Sequence, residues 1–243
     1  MNDAVITVAL PMWNARPIAW LCLESMARQN NPGVPWEIII QEESFNNNCG
    51  YSYIEPYIPR ISANGGVVRY IPLEEKISLP KKWRGIADVA SKHSKVYHMC
   101  AADNYYQPNM LIESWDAMSK GADWFQSYMC HFFDVHTKRM VMYKNKKLSG
   151  IEMSMATELA RKIPYSDKKR VIDLMVLRAA KPQNIQWNES ESWRRTVCTH
   201  GLNNISGERR ERLLNNKIQP FYHTECMLED VVPEYIYERL INI

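Results

Sequence analysis

The 243-residue chain predicts an α/β fold, a mainly parallel central sheet with helices on both faces. Two observations carry the prediction. Four short runs are mainly apolar and rich in β-branched or aromatic residues, and the first, "AVITVAL", is continuous, the pattern of a strand buried on both faces. Between them lie stretches with helical periodicity or a helix-opening proline, at a spacing that suits strand–helix–strand crossovers. The composition, 46% hydrophobic and 23% charged, is that of a chain that buries a sizeable core.

The elements follow in order. "AVITVAL" (4–10) reads as the first strand. "ARPIAWLCLESMARQ" then sets Ile18, Leu21, Cys22, Ser25 and Met26 on one helical stripe. "WEIII" (36–40) and "GVVRYIPL" (66–73) are the second and third strands, and Pro80 opens a helix, since proline suits a first turn. "KVYHMCA" (95–101) is the fourth strand, and Pro108 opens a helix running through Trp115 and Met118. The pattern then changes. "ADWFQSYMCHFF" and "RMVMYKN" read as strands turning near "HTKR", and helical patterns follow at 151–162 and 167–180. The polar loop "THGLNNISG" comes next, with Ser206 placed to cap a short helix, and then a helical tail. This organisation divides the chain into an α/β half, 1–122, and a mixed half, 123–243, of one domain.

Bulk properties narrow the function classes. A net charge of +3 is too small to mark a nucleic-acid binder. The basic clusters at Lys144, Lys146 and Lys147, at Lys168, Lys169 and Arg170, and at Arg209, Arg210 and Arg212 read as solvated faces. Six cysteines form no C-x-x-C pair and read as reduced, mostly buried thiols of a cytoplasmic protein. The first residues read as a strand rather than a signal peptide, and no apolar run reaches membrane-spanning length. Thirteen Met, thirteen Tyr and eight Trp suit core filling and a cleft that stacks on flat ligands.

In open α/β sheets ligands collect at the C-terminal ends of the strands. The first strand ends in Pro11, Trp13 and Asn14, which offer a fixed exit, an indole face and an amide. The second ends in Glu42 and Glu43, acceptors for a base or ribose proton. Lys81, Lys82 and Arg84 stand near a helix start, where anions bind well. The fourth strand ends in Asp103 and Asn104, with Asp103 several residues too early to cap the next helix well. An aromatic, acid, base, acid series of this kind describes a cleft for a nucleoside diphosphate and a divalent cation. There is no glycine-rich phosphate loop, so metal and side chains would neutralise the diphosphate. Cys130, His131 and His136 lack further zinc ligands.

Across about residues 4 to 207 the chain resembles family 2 glycosyltransferases, which have the GT-A fold with a Rossmann-like central sheet. "ITVALPMWN" resembles the family's opening strand and P-x-aromatic-N turn, and "WEIIIQEES" its second strand. "KKWRGIADVA" resembles its basic segment, and "VYHMCAADN" the strand that ends in the metal-binding D-x-D. "VIDLMVLRAA" resembles the helix with the catalytic carboxylate, and "THGLNNISG" the late loop with a histidine near the metal. The sequence departs from the pattern in three places. Ala101 replaces the first aspartate of D-x-D, Gln41 and Glu42 replace the paired aspartates of the second strand, and the catalytic pair falls on Val171 and Ile172. Asp173, one residue on, is the nearest carboxylate, with Asp167 the second choice.

The resemblance implies transfer of a sugar from a nucleotide diphosphate, most often UDP, to an acceptor hydroxyl with inversion. Pro11, Trp13, Asn14, Glu42, Lys82, Arg84, Asp103 and His200 would bind the donor, and Asp103 and His200 would hold Mn2+ or Mg2+. Asp173 would be the general base. The acceptor, whether glycan, lipid-linked sugar, protein or modified nucleic acid, stays open. Two other readings remain beside it: a protein that binds nucleic acid, or glycosylates its bases, through the basic clusters, and a nucleotide-sugar-binding protein without turnover.

Overall fold

The computed structural model describes residues 3–45, 47–127, 129–144, 153–167, 172–188, 196–200, 221–222 and 227–243, with the backbone alone at 129, 130, 141, 143, 144, 172–174, 200, 221 and 222. The α/β half contains β1 (Ile6–Met12), α1 (Ala19–Ala27), β2 (Trp36–Glu43), α2 (Tyr51–Ile54), α3 (Ile58–Ala63), β3 (Gly66–Leu73), α4 (Leu79–Val89) and β4 (Val96–Met99). Then come β5 (Asn104–Tyr105), α5 (Met110–Ser119), β6 (Trp124–Ser127), the hairpin of β7 (Met129–Asp134) and β8 (Arg139–Lys144), β9 (Met153–Ala156), α6 (Thr157–Ala160) and α7 (Ile172–Ala180). The described chain closes with β10 (Ile185–Asn188), β11 (Val197–His200), β12 (Phe221–Tyr222) and α8 (Glu234–Ile241).

A seven-stranded sheet runs in the order β10-β6-β9-β4-β1-β2-β3. Every pairing in it is parallel except those of β9, which lies antiparallel between β4 and β6. This is the mainly parallel sheet flanked by helices that the sequence predicts, and it draws strands from both sides of residue 122. Its two faces carry separate cores. Ile6, Val8, Leu10, Ile38 and Ile40 pack under α1 and α3, while Ala9, Ile39, Tyr97, Met153 and Met155 pack under α4, α6 and α7. Alternation along each buried strand sends successive side chains to opposite cores, which is why the runs are mainly apolar on both faces. At Gly66 the backbone must pass close to its neighbours: a Cβ there would lie 2.5 Å from the Trp36 ring and 2.7 Å from Ile61.

A smaller sheet, β12-β8-β7-β11-β5, stands beside the first. Its joint with the α/β half is apolar. Phe133, Val135 and Val197 pack with Ile18, Trp20 and Leu21 of the α1 segment and with Leu228, Val231, Val232, Ile236 and Leu240 of the C-terminal segment. Polar contacts add to the joint, with Arg239 over the Trp20 ring at 4.0 Å and Tyr235 bonded to Glu24. The tail is thus a packed helix.

One sequence expectation is corrected. The helix expected over 151–162 is a strand at Met153–Ala156 followed by the single turn of α6. The local pattern has period two: Met153 and Met155 enter one core, while Ser154 faces His98 and Ser114 on the other side. The loop 201–207 and the short helix expected after it lie outside the described residues, as do most of the three basic clusters. Cys22, Cys49, Cys100 and Cys198 are buried free thiols. No helix among the described residues is long and apolar enough to cross a membrane.

Candidate functional site

The strand order fixes where a ligand can enter. The chain runs outward from β1 through β2 to β3, then returns to place β4 on the other side of β1. Such a reversal opens a crevice between the two central strands at their C-terminal ends. Pro11 helps to form it. Pairing of β1 with β4 stops at Ala9 and Met99, and the Ala9 carbonyl takes the last bond, from the Cys100 N–H at 2.9 Å. Residues 9 and 11 point the same way along a strand, so the N–H that proline lacks falls in the gap beyond β4. A proline in a central strand is tolerated here because the ladder has already ended.

On the β1 side of the crevice the chain turns through Asn14 at φ 51°, a left-handed conformation that asparagine accepts more readily than most residues. Trp13, 41% exposed, presents its indole there. The Lys76 ammonium lies 3.7 Å from the centre of that ring. On the β4 side, residues 101–104 form a turn held by Tyr106. Its buried phenolic oxygen accepts the Ala101 N–H at 2.8 Å and the Asn104 side-chain amide at 3.3 Å. Asp103 is half-buried in that turn.

β11 brings the far end of the chain to the same place. It pairs antiparallel with β5, setting Cys198 opposite Asn104. The Thr199 N–H then donates to the Asp103 carbonyl at 3.2 Å, and the Thr199 hydroxyl donates to the same oxygen at 2.6 Å. The backbone of His200 therefore adjoins Asp103, although 97 residues separate them in sequence (200 less 103). The His200 side chain is not among the described atoms. Asp173 is the second residue of α7, and its backbone alone is described. The residues after α7 lead into β10, and the Asn184 carbonyl bonds the start of β6 at Asp123 and Trp124. The C-terminus of α7 is thus at the N-terminal edge of the sheet.

The other residues singled out in the sequence are already engaged. Glu42 is fully buried and accepts the Cys49 N–H at 2.7 Å, the Gly50 N–H at 3.0 Å and the Tyr70 hydroxyl at 3.1 Å. It organises the 48–51 loop against the strand ends. Burial, with the Glu42 charge adding to it, pushes the Tyr70 phenol and the Cys49 thiol each up to about 12. The Lys82 ammonium is 2.6 Å from Glu43 and 2.5 Å from the Met12 carbonyl, and both side chains of this ion pair are almost fully buried. Burial lowers the Lys82 pKa, opposed by the contact with Glu43. Arg84 turns to Asp88 at 2.8 Å, to the Ile163 carbonyl at 3.2 Å and to the Tyr165 ring at 5.2 Å. Asp167, at 77% side-chain exposure, pairs with Lys81 at 2.7 Å.

The crevice thus gathers Pro11, Trp13, Asn14 and Asp103 with the backbone of His200. Lys82 supports its wall from within, while Glu42 anchors the neighbouring loop and Arg84 belongs to a network with Asp88. Sequence reasoning missed Lys76 and Tyr106. Lys76 lies in "LEEKIS", which has the composition of an ordinary charged loop, and only the fold sets it over Trp13.

No family model and no curated protein matches the chain. Solved structures do. TarS 1-349 of S. aureus in complex with UDP-GlcNAc superposes with a TM-score of 0.65 at 13% identity, covering 98% of this chain and 73% of that one. A second structure of TarS 1-349 gives 0.61 at 14% identity, covering 80% of this chain and 60% of that one. The mannosyltransferase PcManGT of Pyrobaculum calidifontis, in complex with GDP-Man and Mn2+, gives 0.56 at 10% identity, covering 86% of this chain and 60% of that one. In two of these three the match spans less than two thirds of the neighbour's length. At such identities the likeness speaks for architecture, and it agrees with the strand order and the switch-point crevice: the chain has a GT-A-like fold.

Proposed function

We propose that the chain is a glycosyltransferase that moves a sugar from a nucleoside-diphosphate donor to an acceptor hydroxyl. The observation that carries this reading is the convergence on one crevice of an exposed indole after β1, a carboxylate residue after β4, and the backbone of His200. An indole face suits a base or a sugar ring, and a carboxylate suits a metal-bound diphosphate. UDP-GlcNAc in TarS and GDP-Man with Mn2+ in PcManGT support the same reading. A uridine nucleotide is the first donor to try, since the resemblance to family 2 glycosyltransferases implies UDP most often.

Among the described residues no group of three or more His, Cys, Asp and Glu is gathered to hold a metal. Asp103 still fits one that arrives with its nucleotide, because Mg2+ and similar ions are commonly held by one or two carboxylates and the phosphates themselves. Asp103 would hold the ion, with His200 as the second candidate ligand. The ion would offset the charge that grows on the leaving diphosphate. Asp173 is the proposed base for the acceptor hydroxyl, and attack from the opposite face of the sugar would invert the anomeric centre. Ala101 in the D-x-D position favours one other reading, a donor-binding protein without turnover.

A panel of nucleotide sugars, with and without Mn2+ or Mg2+, tests the proposal. Donor hydrolysis or transfer in the presence of metal is expected. Donor binding with no turnover on any acceptor would favour the second reading, and absence of nucleotide binding would remove both. Asp103→Ala is expected to lose the metal-dependent part of donor affinity, read by calorimetry with UDP; unchanged affinity would move the metal elsewhere.

A further inference from the structure

We propose that Lys76 is the residue that reads the phosphate charge of the nucleotide, and that it leaves the face of Trp13 to do so. The inference rests on the donor-binding reading above. It begins with the cations of this corner of the molecule. Lys82 is buried against Glu43 and the Met12 carbonyl, Lys81 pairs with Asp167, and Arg84 pairs with Asp88. Each of these three is neutralised by a carboxylate. Arg16 spends one guanidinium nitrogen on the Asn48 carbonyl at 3.1 Å and leans over Tyr53 at 5.9 Å. Lys76 differs from all of them. It is exposed, and among the described residues its ammonium rests on a ring rather than on an anion. Glu74 and Glu75 stand beside it in sequence, but neither forms an ion pair with it.

A perch of this kind is weak, because an exposed cation–π contact contributes little and the ammonium keeps most of its water. A diphosphate offers the same ammonium a full charge and several acceptor oxygens, a stronger contact than a ring face. Lys76 sits on the 74–78 loop between β3 and α4, and its stem is long enough to swing without movement of the strands. Its departure would also uncover the indole for the base. The exchange therefore couples two events at one residue: the phosphates capture the cation, and the base takes the surface it vacates.

Calorimetry with UDP and uridine tests this in the full chain, using wild type, Lys76→Met and Lys76→Arg. Lys76→Met is expected to weaken UDP about tenfold, at the low end of a charge-assisted contact. It should leave uridine, which has no phosphate, at wild-type affinity or slightly tighter. Lys76→Arg should restore most of the UDP affinity. A purely structural role would weaken both ligands together, so equal loss for UDP and uridine overturns the proposal. Wild-type UDP affinity in Lys76→Met overturns it as well, and leaves the donor-binding reading standing. Failure of the wild type to bind UDP, GDP or any other nucleoside diphosphate instead removes the donor-binding reading, and this inference with it.

Discussion

The Lys82–Glu43 pair gives the sharpest stability test of the strand-end architecture. The Nζ–Oε2 distance is 2.6 Å and the side chains are 3% and 1% exposed, so neither charge has water to fall back on. Lys82→Met keeps most of the side-chain volume and removes the charge. Glu43 is then a buried carboxylate without a counterion, and the Met12 carbonyl loses its donor. Breaking a buried pair from one side costs about 3–5 kcal/mol, a large share of the roughly 5–15 kcal/mol that holds a domain folded. Replacing both partners removes the uncompensated charge. Lys82→Met with Glu43→Gln should therefore recover most of the loss, with a coupling energy of about 2 kcal/mol or more in the double-mutant cycle. Urea unfolding of wild type, the two single variants and the double variant measures all four corners. A cost below about 1 kcal/mol for Lys82→Met would show the pair to be solvated. Additive single effects would show that the two residues do not act on each other. Either result would refute the picture of a dry, charged brace beneath the exit of β1.

Two further outcomes follow from the same coordinates. Burial holds His98 down to about 3 against an ordinary value of 6.5, so the folded state keeps the ring neutral where the unfolded chain takes up a proton. Its contribution is complete above about pH 6.5 and is lost as pH falls toward 3, at about 1.4 kcal/mol per unit; stability at pH 5 should be about 2 kcal/mol lower than at pH 8, and His98→Gln should flatten that slope, whereas an unchanged slope would assign it to other groups. Asp173→Asn should lower transfer by roughly a hundredfold or more with UDP affinity kept, while Asp167→Asn, whose native carboxylate is exposed on Lys81, should transfer normally; the reverse pattern would make Asp167 the base.

The α/β half was legible because parallel strands write short, mainly apolar runs rich in β-branched residues, and "AVITVAL", "WEIII" and "GVVRYIPL" are such runs, broken only by Glu37 and Arg69, which pair with each other, and by Thr7. "MSMATELA" was not, because four residues with two methionines fit a helical stripe as well as a strand. Only pairing with β4 and β6 decides the matter, and that is tertiary information. The site divides in the same way. Pro11, Trp13, Asn14 and Asp103 announce themselves by falling just where strands end. The ion-pair partner of Lys82 lies 39 residues away at Glu43, and one partner of Glu42 lies 28 residues away at Tyr70, and nothing local in the sequence reveals them. Charge shows in a sequence, but whether it is already satisfied does not. His98 carried no signal at all, yet it is fully buried, with Nδ1 2.6 Å from the Ser154 hydroxyl, which in turn donates to Ser114 at 2.8 Å.

The position of β9 has a consequence for how the protein is made. As the nascent chain leaves the ribosome, β1 to β4 emerge before β9, and all four can pair in the order β4-β1-β2-β3. The far side of β4 cannot, because its neighbour is not translated until residue 156. Until then a strand edge with open backbone groups faces solvent or a chaperone, and β6, already translated, has no adjacent strand through which to join the sheet. Synthesis at about 5–20 residues per second makes this a window of several seconds. A ribosome-bound chain stalled near residue 122 should therefore be protease-sensitive and chaperone-bound, and one stalled with residue 180 clear of the exit tunnel should be protected.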